Sequence, residues 1–170
     1  MKGELALNIR PIRIEDAPAM HAMRIMPGVQ ETTSAVYSER LSYCEELIKS
    51  MGDFDYHFAA EVDEAGVMQV VGFVGLQVNK RPRKRHMGTL GIMVHASWQR
   101  KGIGTRLMRY MLDFADNWLM LPRIELTVFA SNEHAVKLYQ SFGFEIEGRL
   151  RAASVMNGAY VDELVMGRVV

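Results

Sequence analysis

The sequence predicts an α/β fold in which helices are layered against a mixed sheet. Two observations support this prediction. Apolar stretches with the alternation or continuity of strands occur between stretches whose apolar residues recur at helical spacing. Turn signals rich in glycine, proline and asparagine separate these stretches. In chain order the predicted elements are βααβββαβαββ.

An edge strand and two helices are predicted at the start of the chain. Asn8 to Arg13 alternates in polarity and contains Pro11, which is typical of an edge strand. Glu15-Asp16 begin a helix that Pro27-Gly28 end, and Ser38 is expected to cap the second helix. The apolar positions are Ala17, Met20, Met23 and Met26 in the first helix and Leu41, Cys44, Leu47, Ile48 and Met51 in the second.

Three strands follow these helices. Tyr56 to Val62 and Met68 to Val78 form a hairpin around the turn Asp63-Glu64-Ala65-Gly66. Residues 80–86 form a basic turn, and the third strand runs from Met87 to His95. We interpret the basic turn as solvated charge, with contact to substrate or to a phosphate as the first alternative and nucleic acid as the second.

Two further helices and three strands complete the prediction. A long helix opens at the glycines near residue 103, and Pro122 ends it; Ile103, Leu107, Met111, Ala115 and Trp118 form its apolar face. Ile124 to Phe129 is a strand. Asn132 begins the last helix, and Gly143 ends it as the C-cap. The closing hairpin consists of Phe144 to Val155 and Ala159 to Val169 around Asn157-Gly158.

The composition is that of an ordinary globular protein. The chain has 170 residues, 49% of them hydrophobic, and its 20 lysines and arginines balance 20 aspartates and glutamates. The neutral charge gives no global field for nucleic acid, and no apolar run approaches the roughly 18 residues of a membrane span. Cys44 is the only cysteine, and the five histidines lack metal-ligand spacing, so we expect no disulfide and no metal.

We expect a single domain over residues 1–170. The start, Met1-Lys2-Gly3-Glu4, does not have the pattern of a secretory signal, so we expect a cytoplasmic protein without nucleic-acid or membrane partners.

Gly102 and Gly104 are the most informative pair of residues. Bare backbone N–H groups at a helix start and the positive end of the helix dipole together favour an anion such as pyrophosphate. The Walker A pattern fails because Lys101 precedes the glycine, and a Rossmann fingerprint is disfavoured because Leu107 occupies the third glycine position. The remaining alternative is that the glycines only allow the helix to pack closely against the sheet.

Two motifs resemble those of the GNAT N-acetyltransferase superfamily. Gln99-Arg100-Lys101-Gly102-Ile103-Gly104 is similar to the acetyl-CoA signature Q/R-x-x-G-x-G/A. Asn132, Ala135, Leu138, Tyr139 and Gly143-Phe144 resemble the second motif, N-x-x-A-x-x-L-Y-x-x-x-G-F. The resemblance implies a GNAT-like, mostly antiparallel twisted sheet with helices on both faces. Arg100 departs from the many members that have a second glycine there.

The resemblance implies a site for acetyl-CoA. Backbone N–H groups of the loop would hold the pyrophosphate, the strand before it would pair with the pantetheine arm, and a bulge at Gly91 would let the arm enter. Asn132 would bond the pantetheine, and Tyr139 would protonate the leaving thiolate. The implied cofactor-binding residues are Ile92, Met93, Val94, Gln99, Arg100, Lys101, Gly102, Ile103, Gly104, Thr105, Asn132 and Tyr139.

The acceptor and the general base are left open. Residues 88–91 carry no carboxylate where many relatives have a glutamate, and Glu125, Glu31 and His86 are alternatives. The polar loop of residues 29–36 and its neighbours would shape the acceptor site, with Glu31, Thr32, Thr33 and Tyr37 as candidate contacts.

The predicted reaction transfers the acetyl group to a primary amine of a small molecule. The closing hairpin, Asn157 to Asp162, resembles that of bacterial enzymes that acetylate free amino acids. A polyamine, another small amine or a protein N-terminus is the alternative acceptor. A CoA-binding regulatory domain without catalysis is the alternative function. Homodimers are common among similar proteins, so a homodimer is also expected.

Overall fold

The computed structural model describes residues 6–170 and confirms the predicted order of elements. The start of the chain, Met1 to Glu4, which we interpreted as lacking a secretory signal, lies outside the described residues. The strands are β1 (Leu7–Pro11), β2 (Asp55–Glu64), β3 (Val67–Val78), β4 (Met87–Val94), β5 (Arg123–Phe129), β6 (Glu145–Met156) and β7 (Ala159–Val169). The helices are α1 (Ala17–Arg24), α2 (Leu41–Lys49), α3 (Ile103–Asn117) and α4 (Glu133–Ser141).

The seven strands are hydrogen-bonded in the order β1-β2-β3-β4-β5-β7-β6. The pairing is antiparallel for β1 with β2, β5 with β7 and β6 with β7, and parallel for β4 with β5. The mixed, mostly antiparallel sheet is therefore confirmed, and β1 lies at its edge as predicted. Both predicted hairpin turns form, with positive φ at Ala65-Gly66 and at Asn157-Gly158, as the favoured two-residue turns require.

The chain divides into two compact units. One contains the chain up to Leu76 together with Ile92–Met111, and the other contains Gln77–Gly91 together with Leu112–Val170. The single domain over residues 1–170 stays a prediction. Within residues 6–170, no helix has the length and apolar character needed to cross a membrane.

The first unit has an apolar cluster formed by α1, α2 and one face of the sheet. Its buried members are Ala17, Met20, Met23, Val29, Cys44, Ala59 and Phe73. On the other face of the same unit, the Phe58 ring meets the Tyr110 ring of α3 edge to face, with centroids 5.0 Å apart. Because successive strand residues point to opposite faces, helices cover both faces of the sheet in this unit.

The second unit is built on β5, whose buried residues alternate along the strand. Ile124, Leu126 and Val128 are buried, as expected for a strand with one face in the core. A bidentate ion pair joins α3 to β7 in this unit, because Arg168 donates to both carboxylate oxygens of Asp116 at 2.8 and 2.7 Å.

Three local predictions were wrong. Ser38 does not cap α2, because the helix begins later and Arg40 occupies the N-cap position without a side-chain hydrogen bond. Trp118 is not on the apolar face of α3; it follows the helix and is 77% exposed. The helix ends at Asn117, so Pro122 is not the residue that ends it. A short 3-10 turn of residues 14–16 precedes α1, so the first predicted helix is shorter than its apolar pattern suggested.

Candidate cofactor-binding site

The segment between β4 and α3 is held in place by its own hydrogen bonds. His95 N donates to Val71 O at 2.9 Å, and the imidazole Nδ1 of His95 accepts from Ser97 N at 3.2 Å. Gln99 Nε2 donates to Gly28 O at 3.0 Å and to Val94 O at 3.2 Å. The Gln99 side chain therefore fastens this segment to the loop after α1. Local sequence patterns do not predict that contact, because it joins residues 71 positions apart.

The start of α3 leaves a run of backbone donors unused. Arg100 and Gly102 both have left-handed backbone conformations, with φ of 59° and 81°. The first hydrogen bond of the helix runs from Arg106 N to Gly102 O at 3.1 Å. Within residues 6–170, the N–H groups of residues 100–105 have no hydrogen-bond partner. We call these six groups the amide cradle.

The amide cradle has the properties of an anion site. Successive N–H groups in a turn conformation can form a concave anion site, and residues 99–102 are in such a turn; the helix dipole adds positive potential there. Arg100 and Lys101 are exposed, and the Lys101 ammonium lies over the Trp98 ring, 4.4 Å from its centroid. A side chain on Gly102 would meet no atom within 4 Å, so close packing does not explain this glycine. Its positive φ does.

β4 continues beyond its pairing with β5. The parallel register covers three pairs, from Met87↔Arg123 to Thr89↔Glu125, whereas β4 extends to Val94. The segment Ile92 to Val94, implied to contact pantetheine, is half-buried at this end of the strand. The bulge expected at Gly91 stays a prediction.

Asn132 is the N-cap of α4. Its Oδ1 accepts from Ala135 N at 3.2 Å, which satisfies one donor of the first turn. Its Nδ2 donates to no group within the described part of the chain. One side chain therefore fixes the helix start with its oxygen and keeps an amide donor available for a ligand.

Tyr139 lies on α4 and is 6% exposed. Its ring packs against Phe144 with centroids 6.0 Å apart. Burial raises the pKa of the phenol to about 12, so the hydroxyl stays protonated at neutral pH. The hydroxyl has no hydrogen-bond partner among residues 6–170. Its oxygen keeps some accessibility to solvent. A protonated hydroxyl without a partner among the described residues is suited to donate its proton to a ligand.

The candidate acceptor contacts have different local roles. The Glu31 carboxylate accepts from Gly28 N at 2.8 Å, and the hydroxyls of Thr32 and Thr33 donate to backbone carbonyls within the same loop. Tyr37 is 72% exposed and so has most of its ring surface available. Of these four residues, Tyr37 has the side chain that the loop itself uses least.

Two of the three candidate general bases already have partners. Glu125 is 3.4 Å from Arg123, which also forms a closer ion pair with Glu147, and Glu31 holds the turn at Gly28. His86 is exposed and is the last residue of the basic turn. No cluster of three or more His, Cys, Asp and Glu side chains that could hold a metal ion occurs within residues 6–170.

The model of the Acetyltransferase (GNAT) family matches residues 22–144. The chain therefore belongs to the GNAT acetyltransferase family, as its two motifs predicted.

Relatives of known activity agree with this assignment. The chain is 46% identical over 100 residues to L-amino acid N-acetyltransferase AaaT of Escherichia coli (strain K12), a match that covers 59% of this chain and 62% of AaaT. The matched region thus spans less than two thirds of that relative. Spermidine N(1)-acetyltransferase of the same strain is 23% identical over 170 residues, which cover 98% of this chain and 87% of the relative. The predicted similarity to bacterial amino-acid acetyltransferases is confirmed.

Solved structures share the whole fold. Spermidine N-acetyltransferase from Vibrio cholerae in complex with CoA and spermine has a TM-score of 0.83 and 25% identity, and the match covers 96% of this chain and 95% of that one. A GNAT-family acetyltransferase from Streptococcus pneumoniae has a TM-score of 0.81 and 25% identity, covering 97% and 99%. The predicted GNAT-like fold is confirmed.

Proposed function

We propose that this protein is an acetyl-CoA-dependent N-acetyltransferase that acts on the primary amine of a small molecule. The amide cradle is the observation that carries the proposal. Six consecutive backbone donors without partners among residues 6–170, at the start of a 15-residue helix, supply the donors and the positive potential that favour a pyrophosphate. The residues present therefore suit the diphosphate of CoA.

The proposed cofactor contacts follow the resemblance. The cradle and the side chains of its loop hold the diphosphate, Ile92 to Val94 pair with the pantetheine amides, and Asn132 donates through Nδ2. An extended amide-containing arm can add to a strand much as a peptide does. The part of β4 beyond Thr89, which extends past its register with β5, supports this arrangement.

The proposed chemistry is direct transfer. The lone pair of the neutral amine forms a C–N bond to the thioester carbon, and the carbonyl oxygen becomes an oxyanion that accepts from a main-chain N–H of residues 92–94. Collapse re-forms the carbonyl and breaks the C–S bond. The thiolate takes its proton from the Tyr139 phenol, and the proton lost by the amide nitrogen restores that phenol.

A free amino acid is the proposed acceptor, and AaaT supports it. A polyamine is the alternative, because spermidine acetyltransferases match nearly the whole chain. The loop of residues 29–36 and Tyr37 would line the acceptor site. We also propose that the protein is cytoplasmic and homodimeric; light scattering after size exclusion tests the dimer.

Binding and turnover are measured separately to test this function. Isothermal titration of the full chain with acetyl-CoA should give saturable binding. A thiol-release assay with the twenty L-amino acids, spermidine and spermine should then show the greatest kcat/KM for an amino acid. Turnover only with polyamines favours the alternative acceptor. Binding without turnover on any amine favours a CoA-binding regulatory domain, and no binding at millimolar acetyl-CoA contradicts the proposal.

A further inference from the structure

His57 lies on the helix-covered face of the sheet that carries the apolar cluster of the first unit. Its neighbour Phe58 points to the opposite face, where it contacts Tyr110 of α3. Ala59 belongs to the apolar cluster with residues of α1 and α2. Because strand residues two apart share a face, His57 projects on the same side as Ala59.

The imidazole lies directly over the backbone of β3. A Cβ placed on Gly75 would be 2.5 Å from both Cε1 and Nδ1 of His57. Such a distance is far below van der Waals contact, so the ring fills the space that any side chain at position 75 would need. Phe73 precedes Gly75 by two residues on the same face and belongs to the cluster against which Met93 packs. The ring therefore shares its face with a residue of the proposed pantetheine segment.

The ring nitrogens of His57 are available for chemistry. Neither has a hydrogen-bond partner within the described residues, and neither is sealed from solvent. A histidine that only fills a core usually has its nitrogens satisfied. Burial lowers the pKa of the imidazole, and Asp55 on its own strand opposes this shift. The neutral ring, which has a lone pair to accept a proton, thus predominates at neutral pH.

The apolar cluster on the face that carries His57 contributes little other charge. β3 presents Gly75, and α1 and α2 present apolar side chains and the Cys44 thiol, whose pKa is raised by burial. Arg24 and Glu39 lie beyond Cys44 and neutralise each other as a bidentate pair. Asp55 is therefore the charged group that acts on the His57 imidazole.

The proposed reaction needs a proton acceptor, for which the sequence left Glu125, Glu31 and His86 as alternatives. An amine arrives mostly as its ammonium ion at neutral pH, and the ion has no lone pair with which to attack. Residues 88–91 offer no carboxylate, both Glu31 and Glu125 have other partners, and His86 is exposed at the end of the basic turn. A neutral imidazole is a suitable base for this step.

We infer that His57 is the general base that removes the first proton from the acceptor ammonium. The inference rests on the proposed function. One ammonium N–H bond breaks, its electron pair stays on nitrogen, and the proton forms a bond to the imidazole. The imidazolium then releases that proton to solvent. Net, an ammonium ion and acetyl-CoA give the N-acetyl product, CoA thiol and one proton.

The test compares pH profiles of kcat for the wild-type chain and for His57→Gln, with the amine that has the greatest kcat/KM in the panel above. The wild-type profile should have an acidic limb with an apparent pKa below 6.5. In His57→Gln, kcat at pH 7 should fall about 100-fold and that limb should disappear. The Kd of acetyl-CoA should remain unchanged. His134→Gln, at an exposed position of α4, is the matched histidine control and should keep the wild-type profile.

Chemical rescue separates catalysis from folding. His57→Ala should recover at least tenfold in kcat with added imidazole, and the rescue should increase with the fraction of neutral imidazole. If His57→Gln keeps the wild-type kcat and acidic limb, the inference is overturned. It is also overturned if kcat falls, the limb persists and imidazole restores nothing. A wild-type chain that binds acetyl-CoA but acetylates no amine contradicts the proposed function, before any variant is made.

Discussion

Two helix starts in this molecule solve the same problem in opposite ways. α4 begins at a side-chain cap, where Asn132 Oδ1 accepts from Ala135 N. α3 begins after two residues of positive φ, and the N–H groups of residues 100–105 have no partner within the described chain. Every α-helix has unsatisfied donors at its start. Arg100, Lys101 and Gly102 are exposed, so the open donors at the start of α3 are accessible to water or to a ligand.

The difference predicts different consequences of mutation. The start of α3 should matter for cofactor affinity and little for stability, whereas the start of α4 should matter for stability and for the position of Tyr139.

Tyr139→Phe should lower kcat about 100-fold, because it removes the proposed acid for the leaving thiolate. The hydroxyl has no hydrogen-bond partner among residues 6–170, so its removal should leave Tm unchanged. Acetyl-CoA affinity should also be unchanged. Steady-state kinetics and thermal unfolding measure these quantities. Tyr110→Phe on α3 is the matched control, and an equal loss of kcat in both variants would contradict the acid role.

Gly102→Ala should weaken acetyl-CoA binding about tenfold. A side chain in the left-handed region costs about 1–2 kcal/mol, so the loop would shift and misalign the amide cradle. Gly66→Ala is the control, because Gly66 has a φ of 84° and Gly102 a φ of 81°, and both face open space. Both variants should lose similar stability in thermal unfolding, but only Gly102→Ala should change the Kd measured by titration. Equal Kd values would show that the cradle does not bind the cofactor.

Local signals in the sequence account for the elements that were predicted correctly. Asn157-Gly158 predicted its hairpin because few residues adopt positive φ readily, and Asp63-Glu64-Ala65-Gly66 predicted the other as the turn between two strand-like stretches. Ser38 and Trp118 were misassigned because a helix boundary depends on tertiary packing as well as on local residue types. Arg100 shows a further limit of prediction from sequence. Its φ of 59° is a conformation typical of glycine, which an arginine does not predict.

The candidate site was predicted only in part, because local sequence signals reveal some of its residues and not others. The cofactor motif is continuous in sequence, so its residues could be named before the fold was known. The ring of His57 over Gly75 joins two strands, and its only sequence signal is a glycine inside an apolar strand, which indicates a close approach of some neighbour without naming it.

Asn132 allows the cap and the proposed ligand contact to be separated. Asn132→Ser keeps a capping oxygen, so stability should change by only a few tenths of a kcal/mol, whereas Asn132→Ala should lose about 1 kcal/mol. Both lack Nδ2, so both should raise the Kd of acetyl-CoA about three- to tenfold, the value of one hydrogen bond. Denaturant unfolding and titration measure the two effects. If Asn132→Ser binds acetyl-CoA normally, the residue serves only as a cap.

The smallest expected effect is the absence of an alkaline limb in kcat between pH 8 and pH 10. An ordinary tyrosine, with a pKa near 10, would be half ionised at pH 10 and would lose half of its capacity to donate. Burial raises the pKa of Tyr139 to about 12, and a raised pKa keeps the neutral form up to that value. Activity should therefore fall only as pH approaches 12, provided that the protein stays folded, which far-UV circular dichroism checks. A limb centred at pH 9 to 10 in kcat would mean that the donor is a solvent-exposed group, and the buried side of α4 would then have only a packing role.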